Sequence, residues 1–321
     1  MSTSKSTTPS TPSNAVRNYT LAVIVLIYAS SHVDRQIVSI LAESIKQDLL
    51  LSDSQLGFLI GLSFALFYAT LGIPIAILAD RYSRRNIIAI SVIVWSGMTA
   101  LSGLAVNFFQ LALARIGVGI GEAGSSPPSH SMIADLFPLE KRGAAMGIYA
   151  AGINLGVLIG FLVGGFIDEW YGWRMAFFIV GIPGIFLGLL MFFTVREPVR
   201  SSPPKPLPKN LFKEVWKTFV LMMAIPSLRH IVIGCTLVVF VGYGTTYWNG
   251  VFFRRLHGLS PSETGVLLAL IGGIIGGVGT FFGGWLADRL ARRDQRAYVW
   301  LTSAVKILIA PFVAWFYFET D

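Results

Sequence analysis

An eight-residue pattern occurs twice in this chain, and the repeat constrains the possible folds more than any other feature. The sequence LADRYSRR at residues 78–85 returns 208 positions later as LADRLARR at 286–293. The same offset of 208 carries LSDSQLG at 51–57 onto LSPSETG at 259–265. In each copy the two segments flank an apolar stretch of helical length, so the repeat predicts two related halves of a membrane bundle. Many secondary transporters use duplicated halves to build a site that opens alternately to either side.

The scarcity of charge indicates an all-α polytopic membrane protein. Charged residues make up 13% of the 321 positions and hydrophobic residues 54%, whereas a soluble domain carries about 25% charged residues. A transmembrane helix needs about 20 mostly apolar residues. Nine candidate spans meet that length, at 19–41, 56–79, 87–106, 108–130, 143–167, 174–195, 229–252, 263–286 and 297–318.

The spans divide the chain into four parts. Residues 1–17 are rich in Ser, Thr and Pro and predict a disordered cytosolic tail. Six spans form an N-terminal bundle over 18–195, a polar and proline-bearing cytosolic linker covers 196–227, and three spans form a partial C-terminal bundle over 228–321. Because six and three spans are not equal halves, the chain looks truncated relative to a twelve-span duplication.

The distribution of basic residues predicts the orientation. Eighteen Lys and Arg residues fall in the tail, the linker and the loops on one side of the spans, and four fall in the loops on the other side. Cytoplasmic loops carry the excess of basic residues, so we expect a cytosolic N-terminus. The same placement accounts for most of the net charge of +8. No nucleic-acid partner is therefore expected.

The loop after the second span resembles the loop signature of the major facilitator superfamily, G-x-x-x-D-R-x-G-R-R. Ala76 and Ser83 stand at the two glycine positions of the first copy, whereas the second copy keeps Gly284. The resemblance implies a charge latch at the cytosolic face that stabilises an outward-open state. For the arginines, ordinary positive-inside topology explains the pattern equally well. The predicted latch residues are Asp80, Arg81, Arg84, Arg85, Asp288, Arg289, Arg292 and Arg293.

Further segments resemble the spinster group of that superfamily, to which sphingolipid transport is ascribed. They are VDRQI at 33–37, GEAGSSPP at 121–128 and HSMIAD at 130–135. RIGVGIG at 115–121 is similar to the buried-arginine motif of the superfamily's fourth span. The resemblance implies the major facilitator fold, alternating access, and an amphipathic lipid or an organic anion as substrate.

Charged residues inside the spans are the candidates for coupling. A charged group at membrane depth costs roughly 2.5–3.5 kcal/mol on insertion scales, so it remains where it is paired or faces water. Arg115 and Glu122 lie seven positions apart on one helical face, and Asp34 reaches a depth similar to that of Arg115. Asp34 and Glu122 are predicted to exchange protons while Arg115 holds one of them ionised, since burial and a nearby cation act oppositely on a carboxyl group. The alternative is a fixed ion-pair cluster that only joins spans one and four.

Substrate contacts are predicted from the remaining cations and aromatics. Arg35 either contacts substrate or snorkels, and Lys306 in span nine is expected to be a local counter-ion. Arg115 could bind a phosphate or carboxylate head while the aromatic residues of span seven receive an apolar tail. Lipid-facing aromatic residues are the alternative. The predicted substrate-binding residues are Arg35, Arg115, Tyr243, Tyr247 and Trp248.

Chemistry of bond-making is not visible in the sequence. It holds no phosphate-binding loop of the G-x-x-x-x-G-K-[ST] type, no metal-ligand cluster among its four histidines and no nucleophile motif. We therefore expect no enzyme, no cofactor and no metal. The predicted function is a proton-coupled secondary transporter in a bacterial inner membrane, a monomer if full length. The alternative is a truncated, non-transporting remnant or membrane scaffold.

Overall fold

The computed structural model describes residues 13–200 and 210–319. Most of the predicted tail, part of the predicted linker and the predicted end at Asp321 lie outside the described residues. Within these ranges the regular elements are helical, and we number the helices in chain order. They are α1 Asn14–Leu49, α2 Asp53–Ala79, α3 Arg84–Ser102, α4 Phe108–Glu122, α5 Ser126–Leu136, α6 Leu139–Tyr171, α7 Trp173–Thr194, α8 Leu211–Ala224, α9 Pro226–Leu256, α10 Pro261–Ala291 and α11 Ala297–Phe318.

Eight helices of the described chain are long and apolar enough to cross a membrane, one fewer than the nine spans predicted. The difference lies in the fourth span, predicted as one segment over 108–130. There α4 ends at Glu122 and α5 begins at Ser126, with prolines in its first turn. Proline lacks an amide hydrogen and clashes with the preceding turn, so Pro127 and Pro128 interrupt the helix. The 15 residues of α4 fall short of a full span.

The sequence repeat is also a repeat of local structure. α2 and α10 both begin with a capping box, formed by Ser52 with Gln55 and by Ser260 with Glu263. In each box the serine hydroxyl accepts a hydrogen bond from the backbone amide of the residue three positions later. The side chain of that later residue accepts a hydrogen bond from the backbone amide of the serine. Both helices then pass through a π-helical segment, at Phe58–Leu62 and at Ala269–Ile275. The corresponding helices of the two halves therefore share the same N-terminal cap and a π-helical segment near it.

Helices α1 to α7 pack as one bundle in which glycines allow close approach. A methyl group added to Gly156 of α6 would lie 2.4 Å from the Ala29 carbonyl of α1, and one added to Gly164 would lie 2.5 Å from Ile40. Gly181 on α7 meets the backbone of α3 in the same way. Small residues at such crossings let helix backbones come into contact. This packing buries α1 on all sides from residue 31 to residue 42.

The second half approaches the first at one end of the molecule. α9 crosses α1 where the Ser39 hydroxyl donates to the Tyr247 carbonyl at 2.8 Å, and α10 crosses α6 at Gly165 and Gly265. We call this end the closed face; it contains the C-terminal ends of α1, α6 and α9 and the N-terminal ends of α2 and α10. The opposite end is called the open face.

Two helices of the second half depart from a simple bundle. α8 occupies Leu211–Ala224, inside the segment predicted as a linker, so that segment is helical in its described later part. α11 has no buried residue in its described length and touches α9 through Tyr317, whose hydroxyl bonds the Asn249 side chain. α11 also lies beside the inter-half cavity described next, which Lys306 lines.

Candidate functional site

A cavity between the two halves is the candidate substrate site. One part encloses about 680 Å³ between α1, α2 and α9, and an adjoining part encloses about 550 Å³ toward α6 and α11. Both parts share Arg35, Tyr68, Tyr243 and Tyr247, so we treat them as one central cavity. Its other polar or aromatic lining residues are Tyr28, His32, Gln36, Phe64, Phe240, Thr245, Thr246, Trp248 and Lys306.

The structure places the predicted aromatic residues of span seven in this wall. Tyr243, Tyr247 and Trp248 lie on α9 and face α1 and α2 across the cavity. Lys306, predicted to be a local counter-ion, also lines the cavity from α11. The arrangement is an amphipathic site, with wide aromatic surfaces and a small number of cations.

A buried ion pair joins α1 to α4 beside the cavity. Arg35 donates from Nε to Oε2 of Glu122 at 2.8 Å, and its Nη2 lies 2.7 Å from the same oxygen. The guanidinium also lies over the rings of Phe64 at 4.9 Å and Tyr68 at 4.7 Å. Charge-assisted hydrogen bonds and cation–π contacts both favour this placement. Arg35 is thus held between a carboxylate and two rings while it still reaches the cavity.

The predicted trio of Asp34, Arg115 and Glu122 is brought together, but its pairing differs from the prediction. Glu122 pairs with Arg35, and the Arg115 guanidinium lies 5.7 Å from the Phe64 ring. Asp34, Arg115 and Glu122 are almost wholly buried, behind the cavity wall and not along it. Both oxygens of Asp34 and two nitrogens of Arg115 have no hydrogen-bond partner among the described residues.

A second set of ion pairs, which sequence reasoning missed, joins the halves at the closed face. Arg254 of α9 donates from Nη1 to the Ser44 hydroxyl at 2.9 Å and lies 3.3 Å from Asp168 of α6. Arg255 contacts Glu43 at 2.7 Å and Asp53 at 2.8 Å. The sequence signal was two adjacent arginines directly after an aromatic span. We call these contacts the closed-face network.

The predicted latch residues of the first loop copy lie at the open face. Arg84 is buried and bonds Asp135 of α5 and Glu197 beyond α7. Arg85 lies over the Phe192 ring at 5.3 Å, while Asp80 and Arg81 are exposed. These contacts of Arg84 and Arg85 are therefore made with the first half and with the first residues of the linker.

The predicted latch residues of the second loop copy are more exposed than Arg84 and also lie near α11. Asp288 accepts a hydrogen bond of 2.9 Å from the Tyr298 hydroxyl of α11, and Arg289 lies over the Trp285 ring at 5.4 Å. Arg292 and Arg293 are exposed at the end of α10. Both copies thus present charged groups at the same end of the bundle, with different neighbours.

Comparisons with known proteins agree on one family. The model of the Major Facilitator Superfamily matches residues 24–319. An MFS-type efflux pump of Mycolicibacterium smegmatis is 36% identical over 291 residues, which cover 91% of this chain and 67% of the pump. The protein spinster homolog 1 of Xenopus tropicalis is 28% identical over 92% of this chain and 60% of its own length.

Solved structures give the same result for the fold. A bacterial homolog to the human lysosomal transporter Spinster, in an inward-facing and unoccupied conformation, matches with a TM-score of 0.76 and 37% identity. The match covers 88% of this chain and 64% of that one. The chain thus spans about two thirds of the length of these relatives.

Proposed function

Because the chain belongs to the major facilitator superfamily, we propose that it is a secondary transporter that moves an amphipathic lipid or organic anion by alternating access, coupled to protons. It is an integral membrane protein with spinster-like relatives, and we place it in a bacterial inner membrane with its N-terminus in the cytosol. The observation that carries the proposal is the Arg35–Glu122 pair at the wall of the central cavity.

The closed face supports an inward-facing assignment. The halves meet there through the closed-face network and the Gly165–Gly265 crossing. The bacterial Spinster homolog that matches this chain is described as inward-facing. We infer that the closed face is the outer side, which agrees with the excess of basic residues in the segments of the open face.

Competition between Glu122 and an anionic substrate for Arg35 would link proton binding to substrate binding. With Glu122 ionised, the guanidinium is engaged by that carboxylate and by the Phe64 and Tyr68 rings. A proton on Glu122 removes the charge that holds Arg35, so the guanidinium becomes free to bind a carboxylate or phosphate. The aromatic wall of α2 and α9 would then receive the apolar part of the substrate.

This competition predicts a pH-dependent affinity that Glu122→Gln removes. We expect the wild-type protein to bind lysophosphatidate or a hexuronate roughly tenfold more tightly in mild acid than in mild alkali. The Glu122→Gln variant should bind at the acid-side affinity throughout, because glutamine carries no charge to hold Arg35. Isothermal titration of the purified protein with each probe measures both. Glu140→Gln, at the exposed start of α6, is the matched control, and a Glu122→Gln variant with wild-type pH dependence would reject the coupling.

The loop motifs are proposed to form the latch of the opposite, outward-open state. Asp80 and Asp288 sit at the open face, the end at which the halves must meet when the transporter reorients. Replacing Asp288 by Asn should raise the inward-open population, measured as cysteine accessibility from the cytosolic side. An unchanged accessibility profile would reject the latch.

A further inference from the structure

One helix at the open face carries an apolar surface that the described chain leaves largely exposed. α8 occupies Leu211–Ala224, and none of its described side chains is buried. Phe212 is 78% exposed and Trp216 is 59% exposed. The ring centres of Trp216 and Phe219 lie 5.8 Å apart on the same helix. Exposed apolar surface that is gathered in one patch indicates an interaction site.

The order of residues makes α8 amphipathic. At about 100° of rotation per residue, its aromatic side chains share an arc of about 120° with a valine and two methionines. The members of this apolar face are Phe212, Val215, Trp216, Phe219, Met222 and Met223. The polar residues Lys213, Glu214, Lys217 and Thr218 lie on the other side of the helix. Aromatic residues on one face and lysines on the other are typical of helices that lie in the plane of a membrane surface.

The position of α8 in the fold puts it next to lipid. α9, long and apolar enough to cross a membrane, begins at Pro226, so the single residue Ile225 separates it from the end of α8. Ile225 has φ −88° and ψ 113°, which are extended and not helical angles, so the chain turns between the two helices. Because the C-terminal end of α9 lies at the closed face, α8 lies at the open-face end of a membrane-spanning helix.

The charge on and near α8 indicates which lipid suits it. Lys213, Lys217 and Arg229, the last in the first turn of α9, are exposed, and the described residues offer none of them an ion pair. Glu214 is the only acidic residue in this stretch of sequence. Basic residues beside an amphipathic face are attracted to anionic lipid headgroups. An apolar protein partner would cover the aromatic face and leave both lysines without an anion, whereas an anionic bilayer surface satisfies both sides of the helix.

We propose that α8 docks on the anionic phospholipid surface of the leaflet at the open face. Its aromatic face lies at the boundary between headgroups and acyl chains, and Lys213 and Lys217 contact lipid phosphates. Since α8 is joined to α9 through one residue, this contact ties the start of a cavity-lining helix to the membrane surface. The inference uses no property of the transported substrate.

Collision measurements on nitroxide labels test the docking in the whole reconstituted chain. Single cysteines replace Phe219 on the apolar face or Thr218 on the polar face, in a Cys235→Ser background because Cys235 is exposed. The vesicles contain phosphatidylcholine alone or mixed with phosphatidylglycerol in both leaflets, so the result does not depend on orientation. In the anionic vesicles the label at 219 should collide with oxygen, which dissolves in lipid, and the label at 218 with a water-soluble nickel chelate. In phosphatidylcholine alone the label at 219 should be withdrawn from lipid more often.

Charge variants test the role of the lysines. In anionic vesicles, Lys213→Gln and Lys217→Gln should each lower the ratio of immersed to withdrawn label at 219 by about fivefold. Both should have little effect in phosphatidylcholine. The matched control is the double variant Lys141→Gln/Arg296→Gln, which removes two exposed cations at the open-face ends of α6 and α11. It should leave the label at 219 unchanged.

Three results would overturn the inference. A label at 219 shielded from both oxygen and nickel would mean that protein, either another segment or a second copy, covers the apolar face. A label at 219 as accessible to nickel as the label at 218 would place α8 in water. Equal immersion with and without phosphatidylglycerol, or in the wild type and both lysine variants, would show that lipid charge does not hold the helix. Failure of the proposed transport function would change none of these readings.

Discussion

The Arg35–Glu122 pair, called the central pair here, and the Arg255 contacts of the closed-face network both join arginine to carboxylate, and they differ in burial more than in distance. Arg35 and Glu122 approach to 2.7 Å with side chains 10% and 1% exposed. In the closed-face network Arg255 and Asp53 approach to 2.8 Å with side chains 31% and 57% exposed. Breaking a buried pair leaves an uncompensated charge, whereas exposed pairs contribute little. We therefore expect the central pair to contribute most to stability, the Arg255 contacts least, and Arg254, whose partner Asp168 has a side chain 2% exposed, an intermediate amount.

Single substitutions in the central pair are therefore expected to cause the largest loss of stability. Arg35→Ala or Glu122→Ala should each lower the free energy of unfolding by about 3–5 kcal/mol, because the remaining charge stays buried without its partner. The double variant Arg35→Met/Glu122→Leu removes both charges and should recover most of that loss. Denaturant unfolding of the purified protein measures all three.

The double variant also separates stability from function. It should stay folded and bind the anionic probes weakly, without pH dependence, because it lacks both the cation and the titrating group. Single variants as stable as the wild type would show that Arg35 and Glu122 reach water, and the contrast with the closed face would then fail.

Sequence reasoning found the charged trio because charged residues are rare in apolar spans and so stand out. It also placed Arg115 and Glu122 correctly on one helical face. It did not identify Arg35 as the partner of Glu122. It left open whether Arg35 contacts substrate or snorkels, whereas α1 is surrounded by protein from residue 31 to residue 42. On such a helix, neighbours in sequence can both be buried and meet different partners.

The closed-face network was missed for a different reason. Glu43, Asp168 and Arg254 come from three helices, and which of them meet depends on how the halves dock. The helix break after Glu122 shows the same limit on a local scale. The prolines at 127 and 128 are visible in the sequence, but whether the chain continues as one span or restarts there depends on the surrounding packing.

An intermediate effect is expected from Arg254, whose partner Asp168 is buried. Arg254→Ala should cost about 1.5–3 kcal/mol of closed-face stability, since it removes hydrogen bonds between charged groups. The outward-open population should rise roughly 10- to 100-fold. Spin labels at Gln47 and His257, both exposed at the closed face, would report the change as a longer distance. The labels require a Cys235→Ser background, because Cys235 is exposed.

Arg174 supplies the control for that measurement. It pairs with Asp48 at 2.6 Å on the same face, but both residues belong to the first half. Arg174→Ala should therefore leave the inter-label distance distribution unchanged. An equal shift in both variants would mean that loss of any cation at this face opens it, and that Arg254 does not act as a specific tie between the halves.

The smallest change in the distance between the labels is expected from Arg255→Ala. The way that this change depends on salt is what makes the variant informative. Arg255 bridges Glu43 and Asp53. Because Lys46 also contacts Asp53, the Asp53 carboxylate keeps a partner when Arg255 is replaced. Exposed pairs are weak and are screened by salt. Arg255→Ala should thus lengthen the label distance slightly at low ionic strength and have no effect at high ionic strength. The effect of Arg254→Ala should survive added salt, because Asp168 is buried. If both variants lost their effect in salt, the closed face would be held by screened surface charge alone, and the proposed distinction between its two arginines would be wrong.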